Sequence, residues 1–132
     1  MSTATNIVLS IPPQAEWISL VRLTVSGVAN RCGFDIDTIE DIKVCVSEIL
    51  NKVIDSPFAA SGHCVSLSFE VRPESMAMEI DGEGLHGASL FPAEDDFALA
   101  IHDTLMDEVT LANEGKAAVR LVKATGRAAS DD

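Results

Sequence analysis

The sequence predicts an α+β fold, a two-layer sandwich of a mixed β-sheet with three helices on one face, and three observations predict it. Segments of strict apolar alternation recur at the start, in the middle and near the end of the chain. Two long segments of helical spacing follow the first of them, and a further helical segment separates two hairpins. The resulting order is strand, helix, helix, two strands, helix, two strands. At 132 residues the chain suits one domain with a substantial core. That domain is expected to span residues 1–124, with 125–132 as a disordered tail.

Ile7, Leu9 and Ile11 alternate with Val8 and Ser10 and stop at Pro12-Pro13, where proline withdraws the ladder donor, so a strand opens the domain. Trp17, Leu20, Val21, Val25, Val28, Ala29 and Cys32 then recur at helical spacing. Gly33 follows them as the residue that turns left-handed at a helix end. The Asp37-Thr-Ile-Glu40 segment has a capping acceptor and an acid three residues on, which starts a second helix running to Asp55. Its apolar positions Ile39, Ile42, Val44, Cys45, Val46, Ile49, Leu50, Val53 and Ile54 nearly surround the axis and predict burial on most sides. Lys43, Ser47, Glu48, Asn51 and Lys52 are its polar exceptions.

Val65, Leu67, Phe69 and Val71 alternate with polar residues. Past the turn Arg72-Pro-Glu-Ser75, Met76, Met78 and Ile80 do the same, which gives a β-hairpin. Residues from Gly82 to Pro92 read as a loop, and Pro92-Ala-Glu-Asp-Asp96 has helix-start chemistry ahead of Phe97, Ala100, Ile101, Leu105 and Met106. A last hairpin sets Val109 to Leu111 against Val119 to Leu121 around Asn113-Glu-Gly115.

Against 9 Lys and Arg stand 21 Asp and Glu, a net charge of -12. Phosphate contacts need clustered cations, so direct nucleic-acid binding is excluded, while a basic protein partner fits. There is no apolar run long enough for a membrane span and no signal-peptide pattern at the start, so the expected compartment is the cytoplasm. Cys32, Cys45 and Cys64 form no C-x-x-C pair and read as buried thiols. His63, His86 and His102 lack metal-ligand spacing.

The stretch from Ile11-Pro-Pro-Gln-Ala-Glu-Trp17 through Val28-Ala29, its continuation Ile39-Glu-Asp-Ile-Lys-Val-Cys-Val-Ser-Glu48, and Asp103-Thr-Leu-Met-Asp-Glu-Val109 strongly resemble the bacterial anti-sigma-factor serine kinases of the histidine-kinase-like ATPase superfamily. The resemblance covers roughly Asn6 to Lys123. It implies a regulator that holds a sigma factor inactive and phosphorylates a serine of an antagonist protein with ATP and Mg²⁺. It also implies the histidine-kinase-like ATPase fold, and a homodimer paired through the first helix and the sheet edge. By the same resemblance Glu48 is the catalytic carboxylate, Asp81 reads the adenine amino group, Gly82 and Gly84 give the close backbone approach, and Arg22 is the first-helix arginine that contacts partners.

Several positions depart from the family pattern. The metal-binding asparagine falls on Lys52, with Asn51 one residue early, about 100° round the helix. Asn51 could serve as the metal ligand only through a π-bulge. Lys52 either sets its ammonium near the metal position or pairs with Glu48 at i,i+4. Glu83 takes the place of a glycine in Asp81-Gly-Glu-Gly84, and Asp-Gly is also a common turn at a strand end. Asp95-Asp96-Phe97-Ala98, with Glu94 beside it, replaces the glycine-rich lid. At about 6 Å and an effective dielectric of about 20, each such carboxylate repels a phosphate charge by about 2.8 kcal/mol. Those acids would equally cap a helix start. Ala117-Ala118 replaces a hairpin hydroxyl. The expected function is therefore a partner-switching regulator that binds a sigma factor, its antagonist, or both, with ATP binding weakened or lost. The alternative is an active serine kinase.

Overall fold

A computed structural model describes residues 4–91, 105–111 and 117–125. Strand β1 (Thr5–Ile11) is followed by a 3-10 turn (Ala15–Trp17), helix α1 (Ile18–Cys32) and helix α2 (Ile36–Asp55). A second 3-10 turn (Pro57–Ala60) leads to the hairpin of β2 (Val65–Arg72) and β3 (Ser75–Asp81). Then come a single helical turn, α3 (Gly87–Leu90), and strands β4 (Glu108–Leu111) and β5 (Val119–Ala124).

The sheet has the order β1-β2-β3-β5-β4, and every neighbouring pair is antiparallel. The two-layer α+β architecture is the expected one, but the sheet is antiparallel where a mixed one was expected. The connections explain this. A two-residue turn can only return the chain alongside itself, and the helical hairpin of α1 and α2 brings it back from β1 reversed.

Two apolar rows cross all five strands. Ile7, Phe69, Met78, Leu121 and Val109 are register partners in sequence, as are Leu9, Leu67, Ile80, Val119 and Leu111. The residues between them, Val8, Ser68, Glu79, Arg120 and Thr110, belong to the opposite face, where Arg120 and Glu79 form an ion pair. Helix α1 packs on β2, β3 and α2, and both helices join the rows, apart from the exposed Ile7, in one apolar cluster. Met76, Met78 and Met106 are core residues as expected.

Helix α1 ends as anticipated, with Gly33 at φ 90° and its N–H bonded to the last carbonyls. Helix α2 starts two residues earlier than Asp37 would dictate. Asp35 is the cap, its carboxylate accepting from the Thr38 N–H at 2.8 Å. Phe34 and Ile39, both buried, stand at the flanking positions of a hydrophobic staple, and that apolar anchor selects Asp35 over Asp37. Burial of α2 is confined to one face (Ile39, Ile42, Cys45, Val46, Ile49, Leu50, Val53), while Val44 is 46% exposed. Leu20 and Leu23 of α1, and Trp17 in the turn just before it, point outward although Trp17 and Leu20 share the helical spacing of the core residues.

The expected loop from Gly82 contains α3 because Leu85, Leu90 and Phe91 bury themselves in the core and pull the segment into a helical turn. Of the expected third long helix, residues 92–104 lie outside the described residues. So do residues 112–116 of the last hairpin. Thr125, expected to begin the tail, donates its N–H to the Glu74 carbonyl at 2.9 Å; residues 126–132 lie outside the described residues. Strand β1 is an edge and contains neither a charged residue nor a proline, and its Val8 is 64% exposed. Among the described residues no helix is long and apolar enough to cross a membrane.

Cys64 is exposed, contrary to the expectation of three buried thiols, because it precedes β2 and escapes the inward alternation that starts at Val65. Cys32 donates to the Ser75 carbonyl and Cys45 sits within the core; burial raises both thiols, Cys45 to about 12. A thiol-specific reagent at neutral pH therefore labels Cys64 alone in the folded protein, and labels all three after unfolding, as mass spectrometry would report. The hydrogen bond from Thr38 holds the Asp35 carboxyl below its ordinary 3.8. Because the folded value is the lower one, the cap contributes fully above pH 3.8 and is lost as pH falls through the folded value. Urea unfolding is expected to show the stability margin of the native chain over Asp35→Ala narrowing below pH 3.8, with no such narrowing for Asp35→Asn over Asp35→Ala.

Candidate functional site

The polar residues of α2 divide between two flanks. Glu48 and Lys52, one turn apart, share the flank away from α1, and Ser47 lies on the flank towards α1. Glu48 is exposed and, among the described residues, takes no hydrogen bond or ion pair, so its carboxylate is available to a ligand. The Lys52 ammonium lies 5.6 Å from the centroid of the Phe91 ring, a cation–π distance. The ion pair that α2 makes within itself is Lys43–Glu40 at 3.0 Å, not Lys52–Glu48. Asn51 is exposed, and α2 runs as an unbroken α-helix across it. With no π-bulge, Asn51 does not reach the position one residue on.

This donor set does not fit Mg²⁺, which demands an oxygen shell of near-octahedral geometry. An ammonium has no lone pair to give, and Asn51 is turned away. Among the described residues no three His, Cys, Asp or Glu side chains gather as a metal site.

Asp81 ends β3 opposite Ser66 and is half-buried. The following Gly82 is constrained by the protein itself. A Cβ there would stand 2.5 and 2.8 Å from the Phe58 ring and 3.3 Å from the Cys64 carbonyl oxygen. Phe58 belongs to the turn directly after α2, so its ring ties that helix to the end of β3 and takes the close approach expected for a ligand at Gly82. Gly84 adopts φ 84° in a turn closed by the Leu85 N–H on the Gly82 carbonyl at 2.9 Å, a conformation glycine adopts at least cost. Glu83 points to solvent, 3.7 Å from His63 Nδ1. A cavity of about 220 Å³ opens beside this turn, lined by Pro57, Phe58, Leu85, His86 and Leu90 among others.

Arg22 reaches from α1 across to α2, where Nη1 donates to Ser47 Oγ at 2.6 Å and to the Lys43 carbonyl at 3.3 Å. It is half-buried, and its acceptors among the described residues are neutral. The remaining donors, on Nη2 and Nε, form the fork that suits a carboxylate. Outward-facing Leu20 and Leu23, the latter 71% exposed, lie on the same helix, and Trp17 stands just before its start.

Sequence reasoning singled out Glu48, Lys52, Asp81 and Arg22, with Ser47 as a polar exception of α2, but missed Phe58, Phe91 and the contact of Ser47 with Arg22. Only the Pro57-Phe58 step after α2 carried a local signal, a helix stop followed by an anchoring aromatic. Glu94, Asp95 and Asp96 lie outside the described residues. Ala118 is fully buried, so a core methyl stands where a hydroxyl was sought.

Comparison with known proteins agrees with this architecture. The histidine kinase-like ATPase domain family matches residues 11–123. The serine-protein kinase RsbW of Staphylococcus epidermidis is 31% identical over 92% of this chain and 88% of its own length. The protein of the same name from Bacillus subtilis (strain 168) is 30% identical over 92% and 87%. That of Halalkalibacterium halodurans is 38% identical over 60% of this chain, but the match spans only 48% of that relative. A crystal structure of the RsbU and RsbW domains of Rv1364c from Mycobacterium tuberculosis superposes with a TM-score of 0.63 at 13% identity. It covers 92% of this chain and 31% of that one, a likeness of fold. The chain belongs to the histidine kinase-like ATPase domain family, in the branch of the RsbW serine-protein kinases.

Proposed function

We propose that this chain is a cytoplasmic partner-switching regulator that binds a sigma factor, an anti-sigma antagonist, or both, and that its use of ATP and Mg²⁺ is weakened or lost. The observation that carries the reading is the pairing of a prepared arginine with an altered metal position. Among the described residues Arg22 is held on neutral acceptors with its carboxylate fork unspent, and Lys52 lies over Phe91 where a metal ligand is needed. Exposed Leu20 and Leu23 add apolar area beside an arginine, a composition typical of interface anchors. The uncharged β1 edge and the outward face of α1 together suit a homodimer.

A second reading, an active kinase acting on a serine of the antagonist, is favoured by two observations. Glu48 stands exposed on α2, and Asp81 closes β3 as the family pattern requires. In that reading Glu48 would orient or deprotonate the attacking hydroxyl.

Calorimetric titration separates the two: Mg-ATP is expected to bind more weakly than about 1 μM, a limit near -8 kcal/mol, and a tighter constant favours the kinase. For the partner surface, Arg22→Glu is expected to weaken binding to the purified sigma factor or antagonist at least about tenfold, near 1.4 kcal/mol. Unchanged affinity in surface plasmon resonance removes Arg22 from that surface.

A further inference from the structure

Lys52 occupies the turn of α2 on which the family pattern puts a metal-binding asparagine, and its chemistry is opposite to that of a ligand. Its ammonium offers three N–H donors and no acceptor, and it repels a divalent cation at close range. Among the described residues no neighbouring side chain repairs the loss: Asn51 is exposed on another side of the helix, and no metal cluster gathers there. What the position supplies is a held positive charge. The buried Phe91 ring, 5.6 Å from the ammonium, gives it a π-face to rest on. Glu48 lies one turn earlier on the same flank, so a phosphate chain lying along that flank meets Lys52 where a metal would otherwise stand. Lysine binds phosphate as a point charge in other nucleotide sites, which makes the exchange chemically sound.

We infer that this chain holds the phosphates of a nucleotide without a divalent cation, the Lys52 ammonium taking the cation's place. The inference rests on α2 being the nucleotide-facing helix of a histidine kinase-like ATPase domain, and it deepens the reading of a weakened ATP site. A single charge in place of a double one holds phosphates less tightly, yet it needs no dissolved metal.

The test titrates ADP into the full chain by calorimetry in EDTA and again in excess Mg²⁺, and follows free Mn²⁺ by electron paramagnetic resonance as ADP is added. The native chain is expected to bind ADP with constants that agree within about twofold in the two buffers, and to take up no Mn²⁺ with it. Lys52→Ala is expected to weaken ADP at least about tenfold in EDTA. Lys52→Asn is expected to make binding depend on Mg²⁺ and to bring stoichiometric Mn²⁺ uptake. Tightening of the native chain by Mg²⁺ of about tenfold or more, or Mn²⁺ uptake by it, overturns both this inference and the weakened-site reading. No ADP binding at millimolar concentration in either buffer, or native affinity in Lys52→Ala, overturns the inference alone and leaves the partner-switching reading standing.

Discussion

The two apolar rows that run unbroken across the five strands are the constraint on which the rest of the domain depends. A slip of one residue in any strand would turn its members to the opposite face, so the rows hold every strand in register at once. They also set where the helices lie. The buried stripe of α1 and the single apolar face of α2 have one surface on which to close, and closing on it turns the polar flanks of α2 outward on either side. Deleting a fully buried member such as Ile49 to alanine removes about 2–5 kcal/mol, a large part of the stability of a domain this size.

From that seating the positions of the polar groups follow. One flank of α2 receives Arg22 from its neighbour, and the other carries Glu48 and Lys52. The helix therefore serves two surfaces with one backbone, and Phe58 at its end links it to the turn after β3. An aromatic ring supports the polar element in each case: Phe91 beneath Lys52, and Phe58 against Gly82. Apolar packing places the charges here, with modest help from exposed ion pairs such as Lys43–Glu40, which contribute little.

Much of this was legible in the sequence because it depends on periodicity. Alternation marked β1, β2 and β3, helical spacing marked α1 and α2, and Gly33 marked the end of α1. What escaped depends on three-dimensional neighbours. Two capping acids lie two residues apart, and only the burial of Phe34 decides between them. Val44 and Leu20 are as apolar as any core residue, so composition could not tell that they face outward. The helical turn at Gly87–Leu90 is drawn in by Leu85, Leu90 and Phe91, a run too short for a period to register. In the site, the family resemblance pointed to Glu48, Lys52, Asp81 and Arg22. The contacts that qualify them, Ser47 on Arg22 and Phe91 on Lys52, join residues 25 and 39 positions apart and leave no trace in local pattern.

The bare edge of β1 has a consequence for selectivity. Backbone amides and carbonyls do not distinguish one extended segment from another, and with no charge or proline along Thr5–Ile11 the strand itself refuses little. Discrimination at that edge passes to the field of the whole domain. Two copies of the chain approach each other with -12 apiece and must overcome mutual repulsion before the short-range contact forms. A basic protein arrives at the same edge with the field in its favour, so the acidity of the domain ranks the candidates before any strand is laid down.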